Sequence, residues 1–178
     1  MLKRKIRFEN GIMVALALAG VLALVLPVGK AQAAPTIEYS PTGWPGRVLI
    51  TNTIPYGSFY AETFQVVCPA GTAKLVTGLI DPAPVASAKF SVSVFKSGGV
   101  HSNAGYDDID GDTTYGAVVS VSGGTGIYSV SVAKGSFFSS PAEDYTVNMF
   151  CATAGGTVVP IPVPAAGETG SVFYLGIQ

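Results

Sequence analysis

Histidine is nearly absent from this chain of 178 residues, which has His101 alone, and charged residues make up only 12%. A blue-copper centre takes two histidines and catalytic zinc commonly several, so one histidine excludes both chemistries. His101 stands next to Ser102, but neighbours on an extended segment face opposite ways. No Gly-x-Ser-x-Gly elbow supplies another serine, so a histidine-dependent hydrolase is disfavoured. Glu38, Glu62, Glu143 and Glu168 could partner aspartates in glycoside hydrolysis, but no spacing sets two of them at a working separation. The low charge also excludes a disordered acidic tail and a basic nucleic-acid binder.

The N-terminus has the three-part build of an export signal. Lys3, Arg4, Lys5 and Arg7 precede an apolar and glycine run from Ile12 to Leu26, and Ala31-Gln32-Ala33 puts small residues where a signal peptidase cuts. Residues 1–33 are therefore expected to be a helical signal peptide and 34–178 a single mature domain. The rival is an uncleaved anchor, since Gly11 to Val28 approaches the ~20 apolar residues that span a bilayer. Cleavage removes five of ten basic residues but only Glu9 of the eleven acids, leaving a mature net charge of −5 with His101 neutral. That balance repels phosphate backbones and anionic headgroups. No nucleic-acid partner and no membrane insertion after cleavage are expected.

The mature segment reads as strands. In Lys89 to Lys96, Phe90, Val92 and Val94 alternate with serines; Tyr128, Val130 and Val132 repeat the pattern, as do Tyr145, Val147, Met149 and Cys151. Further strands are expected at 47–53, 59–67, 73–80, 115–122, 157–161 and 171–177, punctuated by Gly, Pro and Asp-Gly turns. The stretch Pro160 to Pro164 must be an edge or an extended connection, because proline donates nothing to a ladder. About nine short strands without an amphipathic helix predict an all-β antiparallel sandwich or barrel.

Cys68 and Cys151 are the only cysteines. An even count in an exported segment is most simply one disulfide, with free thiols or metal ligands as the alternatives. Two cysteines on distant strands, Gly-rich hairpins and the run of Tyr145, Val147 and Cys151 resemble the immunoglobulin-like β-sandwich modules of bacterial secreted and surface proteins. The resemblance implies an immunoglobulin-like sandwich of about 8–9 strands and a role in adhesion, scaffolding or ligand binding. No tryptophan lies between the cysteines, and Met149 stands where the corner tyrosine of antibody domains would be.

Two polar or aromatic groupings remain. Asp107, Asp108, Asp110 and Asp112 crowd one turn, and the alternate spacing of Asp108, Asp110 and Asp112 suits the hard oxygen ligands of calcium. Thr113 and Val119 break the EF-hand pattern, so a solvated turn is the plainer reading and calcium the only cofactor considered. Tyr39, Trp44, Tyr56 and Tyr60 could stack on sugars, or simply cap the core. The expectation is thus a non-catalytic structural or binding module, secreted, periplasmic or on the cell envelope. Its alternatives are a self-assembling surface subunit and a small hydrolase using the acidic turn. Its ligand is unknown, and a cell-surface component or another copy of itself is a possible partner.

Overall fold

The computed structural model describes residues 34–55, 57–82, 89–101, 104–106, 114–116, 118–140, 142–166 and 170–177. The expected signal peptide, the acidic turn with Asp108, Asp110 and Asp112, and Tyr56 lie outside the described residues.

Among the described residues there are twelve strands: β1 (Thr36–Tyr39), β2 (Val48–Ile54), β3 (Gly57–Cys68), β4 (Lys74–Ile80), β5 (Lys89–Lys96), β6 (Val100–His101), β7 (Gly105–Tyr106), β8 (Val119–Ser122), β9 (Gly126–Ser140), β10 (Glu143–Ala152), β11 (Val158–Val159) and β12 (Val172–Ile177). They form two six-stranded antiparallel sheets. The first, sheet A, runs β1-β2-β10-β4-β8 with β11 beside β10; the second, sheet B, runs β12-β3-β9-β5-β6 with β7 also beside β5. All nine expected strands are found. The three missed, β1, β6 and β7, have four residues or fewer. Two to four residues alone show too little alternation to read; β8 and β11 are as short but fall within the longer expected runs at 115–122 and 157–161.

The period-two pattern decides which residues meet. Phe64, Val66, Phe90, Val92, Val94, Tyr128, Val130 and Val132 face Val48, Ile50, Leu75, Leu79, Tyr145, Val147 and Met149 in a closed core. Each such side chain contributes about 1.5–3 kcal/mol of burial free energy. The Pro160 to Pro164 stretch is an extended connection between β11 and β12, anchored by buried Ile161, whose N–H donates to Gly46 O at 3.2 Å.

Connectivity is the feature the local pattern hid. Strands β6 and β7 both pair with β5, so they are two pieces of one interrupted strand. Lettered B to I in chain order, the eight central strands then read B-I-D-G in one sheet and C-H-E-F in the other. That is the arrangement of a jelly roll, two interlocked Greek keys. It departs from the A-B-E-D and C-F-G sheets of an immunoglobulin domain. The resemblance carried by Cys68, Cys151 and the Tyr145 run reports a cross-sheet bridge and a half-buried strand. Many sandwiches share these whatever their strand order.

Cys68 ends β3 in sheet B and Cys151 lies on β10 in sheet A; they form a disulfide with Cα atoms 5.7 Å apart. Closing a loop 83 residues long removes chain entropy worth roughly 4–5 kcal/mol on the loop-closure account. At this end Lys96 lies 4.1 Å over the Tyr128 ring and donates to Thr125 O at 2.8 Å. Burial lowers its pKa.

Candidate functional site

Two groups of polar side chains stand out, one inside the sandwich and one on its outer surface. The inner group forms because three apolar faces each continue into a charged residue. Glu62 shares the inward face of β3 with Phe64 and Val66, Lys134 that of β9 with Val130 and Val132, and Glu143 that of β10 with Tyr145 and Val147. The register sets Glu62 opposite Val132, Lys134 opposite Tyr60 and Phe90, and Glu143 opposite Ile54. All three therefore lie toward the end of the sandwich remote from the disulfide.

Glu62 is fully buried, and its carboxylate accepts hydrogen bonds from both sheets. Asn52 Nδ2 donates to Oε1 at 2.8 Å and to Oε2 at 3.0 Å. The Tyr174 hydroxyl donates to Oε1 at 3.2 Å and the Tyr145 hydroxyl to Oε2. A buried carboxylate is tolerable when hydrogen-bonded this fully. Burial, then the bond to Glu62 and its charge, raise the Tyr145 pKa far above the usual phenol range. Burial and the Glu62 charge push Tyr174 up to about 12. Both tyrosines thus stay protonated donors at neutral pH. Lys134 Nζ is 3.4 Å from Glu143 Oε2, with both side chains almost wholly buried.

The outer group covers sheet A. The loop between β1 and β2 folds over the sheet: Ser40 N donates to Arg47 O at 2.7 Å and Trp44 N to Pro41 O at 2.8 Å. Gly46, at φ +75°, closes that loop where a Cβ would stand 3.0 Å from Pro160 Cα. A side chain there would both strain the backbone and push the segments apart. The loop lays Trp44 over the Arg47 guanidinium, 4.7 Å from the ring centroid; beneath it the guanidinium lies 4.2 Å from the centroid of Phe150 on β10.

Tyr115 completes the cluster from the segment preceding β8. Its ring lies over Gly78, where a Cβ would meet Cδ1 at 3.0 Å, and is 5.6 Å from Trp44. Burial raises its pKa while the Arg47 charge acts the other way. Trp44, Arg47, Tyr115 and Phe150 are all half-buried. Asn148 faces the same side of β10 in register with Leu49 and Gly78, is 4% exposed, and its Oδ1 makes no hydrogen bond among the described residues. Arg47 has no carboxylate partner among the described residues. Its guanidinium instead stacks with two aromatic rings.

The residues singled out from sequence divide accordingly. Cys68 and Cys151 meet. Of the four aromatics, Trp44 joins the outer cluster. Tyr39 instead accepts from Val172 N at 3.1 Å, tying β1 to β12, and Tyr60 packs against the core. His101 pairs through its backbone with Phe95 in β6 and β5. Arg47, Tyr115, Phe150 and Asn148 were missed. A signal did exist for Phe150, an aromatic on the otherwise polar face of Asp144, Thr146 and Asn148. Comparison with protein-family models, curated proteins and solved structures finds no match to this chain.

Proposed function

We propose that this chain is an exported, non-catalytic binding module of the cell envelope or the medium, and that it binds glycans through the outer face of sheet A. The observation that carries this reading is the half-exposed cluster of Trp44, Arg47, Tyr115 and Phe150. Aromatic faces stack on the C–H faces of pyranose rings, and the donor edge of Arg47 suits ring hydroxyls or a uronate carboxylate. The buried acids and Lys134 support a non-catalytic role, since a group closed to solvent cannot reach a substrate. The disulfide is compatible with an extracellular or periplasmic location. The turn with Asp108, Asp110 and Asp112 is where such a module would hold calcium.

Native gel electrophoresis in gels containing a neutral β-glucan or polygalacturonate tests the reading. Retardation by either polymer, lost in a folded Trp44→Ala variant, supports it. Unchanged mobility in both overturns it.

The second reading is a self-assembling subunit, favoured by the outer face of sheet B. Ala61, Thr63 and Gln65 on β3 line up with Ala133, Ser131 and Ser129 on β9, and with Ser91, Ser93 and Phe95 on β5. No charge interrupts those rows, and charge is what commonly discourages sheet association.

A further inference from the structure

We propose that the Tyr115 ring occupies a sugar subsite of its own protein, and that a neutral pyranose displaces it to reach Asn148, whose Oδ1 accepts from a ring hydroxyl. The inference rests on the glycan-binding reading; it names the kind of glycan and the way the site opens. Asn148 on β10 lies in one row on the outer face of sheet A, between Leu49 on β2 and Gly78 on β4. On that same face of β10, Asp144 and Thr146 are half-buried, and Thr51 in register with Thr146 is exposed, yet Asn148 is only 4% exposed. The cover comes from Tyr115. Its ring fills the place of a side chain at Gly78, where a Cβ would meet Cδ1 at 3.0 Å and Cγ at 3.4 Å. Opposite residues on one face of an antiparallel pair have Cβ positions about 4.5–5.5 Å apart, so a ring standing there also roofs Asn148. Trp44, 5.6 Å from Tyr115, extends the roof.

Two features mark a place held for a ligand. Glycine inside a strand weakens it and often marks the close approach of another group, and Gly78 has no positive φ that would require glycine for conformation alone. Asn148 Oδ1 is buried and accepts no hydrogen bond among the described residues, a cost that a surface packed only for stability would avoid. The backbone beside Tyr115 is tied down, with Gly116 N donating to Leu79 O at 2.9 Å, so rotation of the half-buried side chain uncovers the row while the strand stays in place. The unpaired atom also selects the ligand. An acceptor needs a donor, which a sugar hydroxyl supplies and a carboxylate does not. The net charge of −5 expected after cleavage adds repulsion of any polyanion.

Binding of a soluble neutral β-glucan and of polygalacturonate to the exported full chain is read from the emission of Trp44, the only tryptophan. The glucan should bind in preference to polygalacturonate. Tyr115→Ala should bind it several-fold more tightly, because no part of the population is then held closed. Asn148→Leu should bind about tenfold more weakly, with a urea midpoint unchanged or higher, a combination that a merely structural asparagine would not give. Nitration by tetranitromethane, mapped by peptide mass, separates displacement from stacking in the wild-type protein: saturation with glucan should speed modification of Tyr115. Weaker binding by Tyr115→Ala, wild-type affinity in Asn148→Leu, preference for polygalacturonate, or a Tyr115 that glucan protects or leaves unchanged each overturns the proposal while the glycan reading stands. Failure of the wild-type chain to bind either polymer overturns both. The nitration result decides on the wild-type protein should a variant not fold.

Discussion

Replacing Tyr145 by phenylalanine removes one oxygen from the centre of the sandwich and leaves the ring contact with Phe90 in place. The Tyr145 hydroxyl donates to Glu62 Oε2, and both residues are 0% exposed. A hydrogen bond to a charged group is worth about 1.5–3 kcal/mol, and a buried carboxylate that loses a donor cannot turn to water for another. Asn52 and Tyr174 still hold Glu62 at 2.8–3.2 Å, which keeps the expected loss near 2 kcal/mol, about the middle of that range. For a domain of this size that lowers Tm by roughly 4–8 °C. Urea titration of the oxidised protein should show a lower midpoint at an unchanged slope, since the surface exposed on unfolding hardly differs. A cycle with Glu62→Gln should return a coupling of about 1–3 kcal/mol between residues in direct contact. Stability within about 0.5 kcal/mol of wild type, the range of an uninvolved surface change, would refute the claim that this hydroxyl supports the carboxylate.

Two further outcomes follow from the same geometry. An unfolded tyrosine ionises near pH 10, whereas Tyr174 holds its proton to about 12 and Tyr145 beyond that. The stabilisation from these donors is therefore complete below pH 10 and lost as pH rises toward 12. Tm should fall across that window, and phenolate absorbance should show a late tyrosine class that appears only with unfolding; a single class near pH 10 in the folded protein would contradict the network. If the uncharged rows on the outer face of sheet B mediate assembly, sedimentation coefficients should rise with concentration and a Ser131→Lys variant should abolish the rise. A concentration-independent monomer disposes of that reading.

Much of the fold was legible in particular residues. Serines alternating with Phe90, Val92 and Val94, and the matching runs at Tyr128 and Tyr145, gave strands with the correct inward faces because side-chain direction alternates strictly. Cysteine arithmetic gave the bridge. Strand order was not legible, since pairing β2 with β10 or β3 with β9 joins segments far apart in sequence and leaves no trace in local pattern. The inner polar group was legible in principle: Glu62, Lys134 and Glu143 each keep the parity of an apolar face, and a charge on that parity must be buried or must end the strand. The outer cluster was half-hidden. Its members come from a loop, a strand and the approach to β8, and only folding brings Trp44, Arg47, Phe150 and Tyr115 together.

The alternation of the central chain between layers has a consequence for how the molecule is made. From β2 to β5, and again from β8 to β10, each strand crosses to the opposite layer, so consecutive strands within these runs do not share a ladder. Sheet B is not joined until β9 slots between β3 and β5, nor sheet A until β10 slots between β2 and β4. A nascent chain stopped short of both strands would have neither layer joined. Such a protein must reach its shape late and nearly all at once, at the slow end of the range for domains of its length.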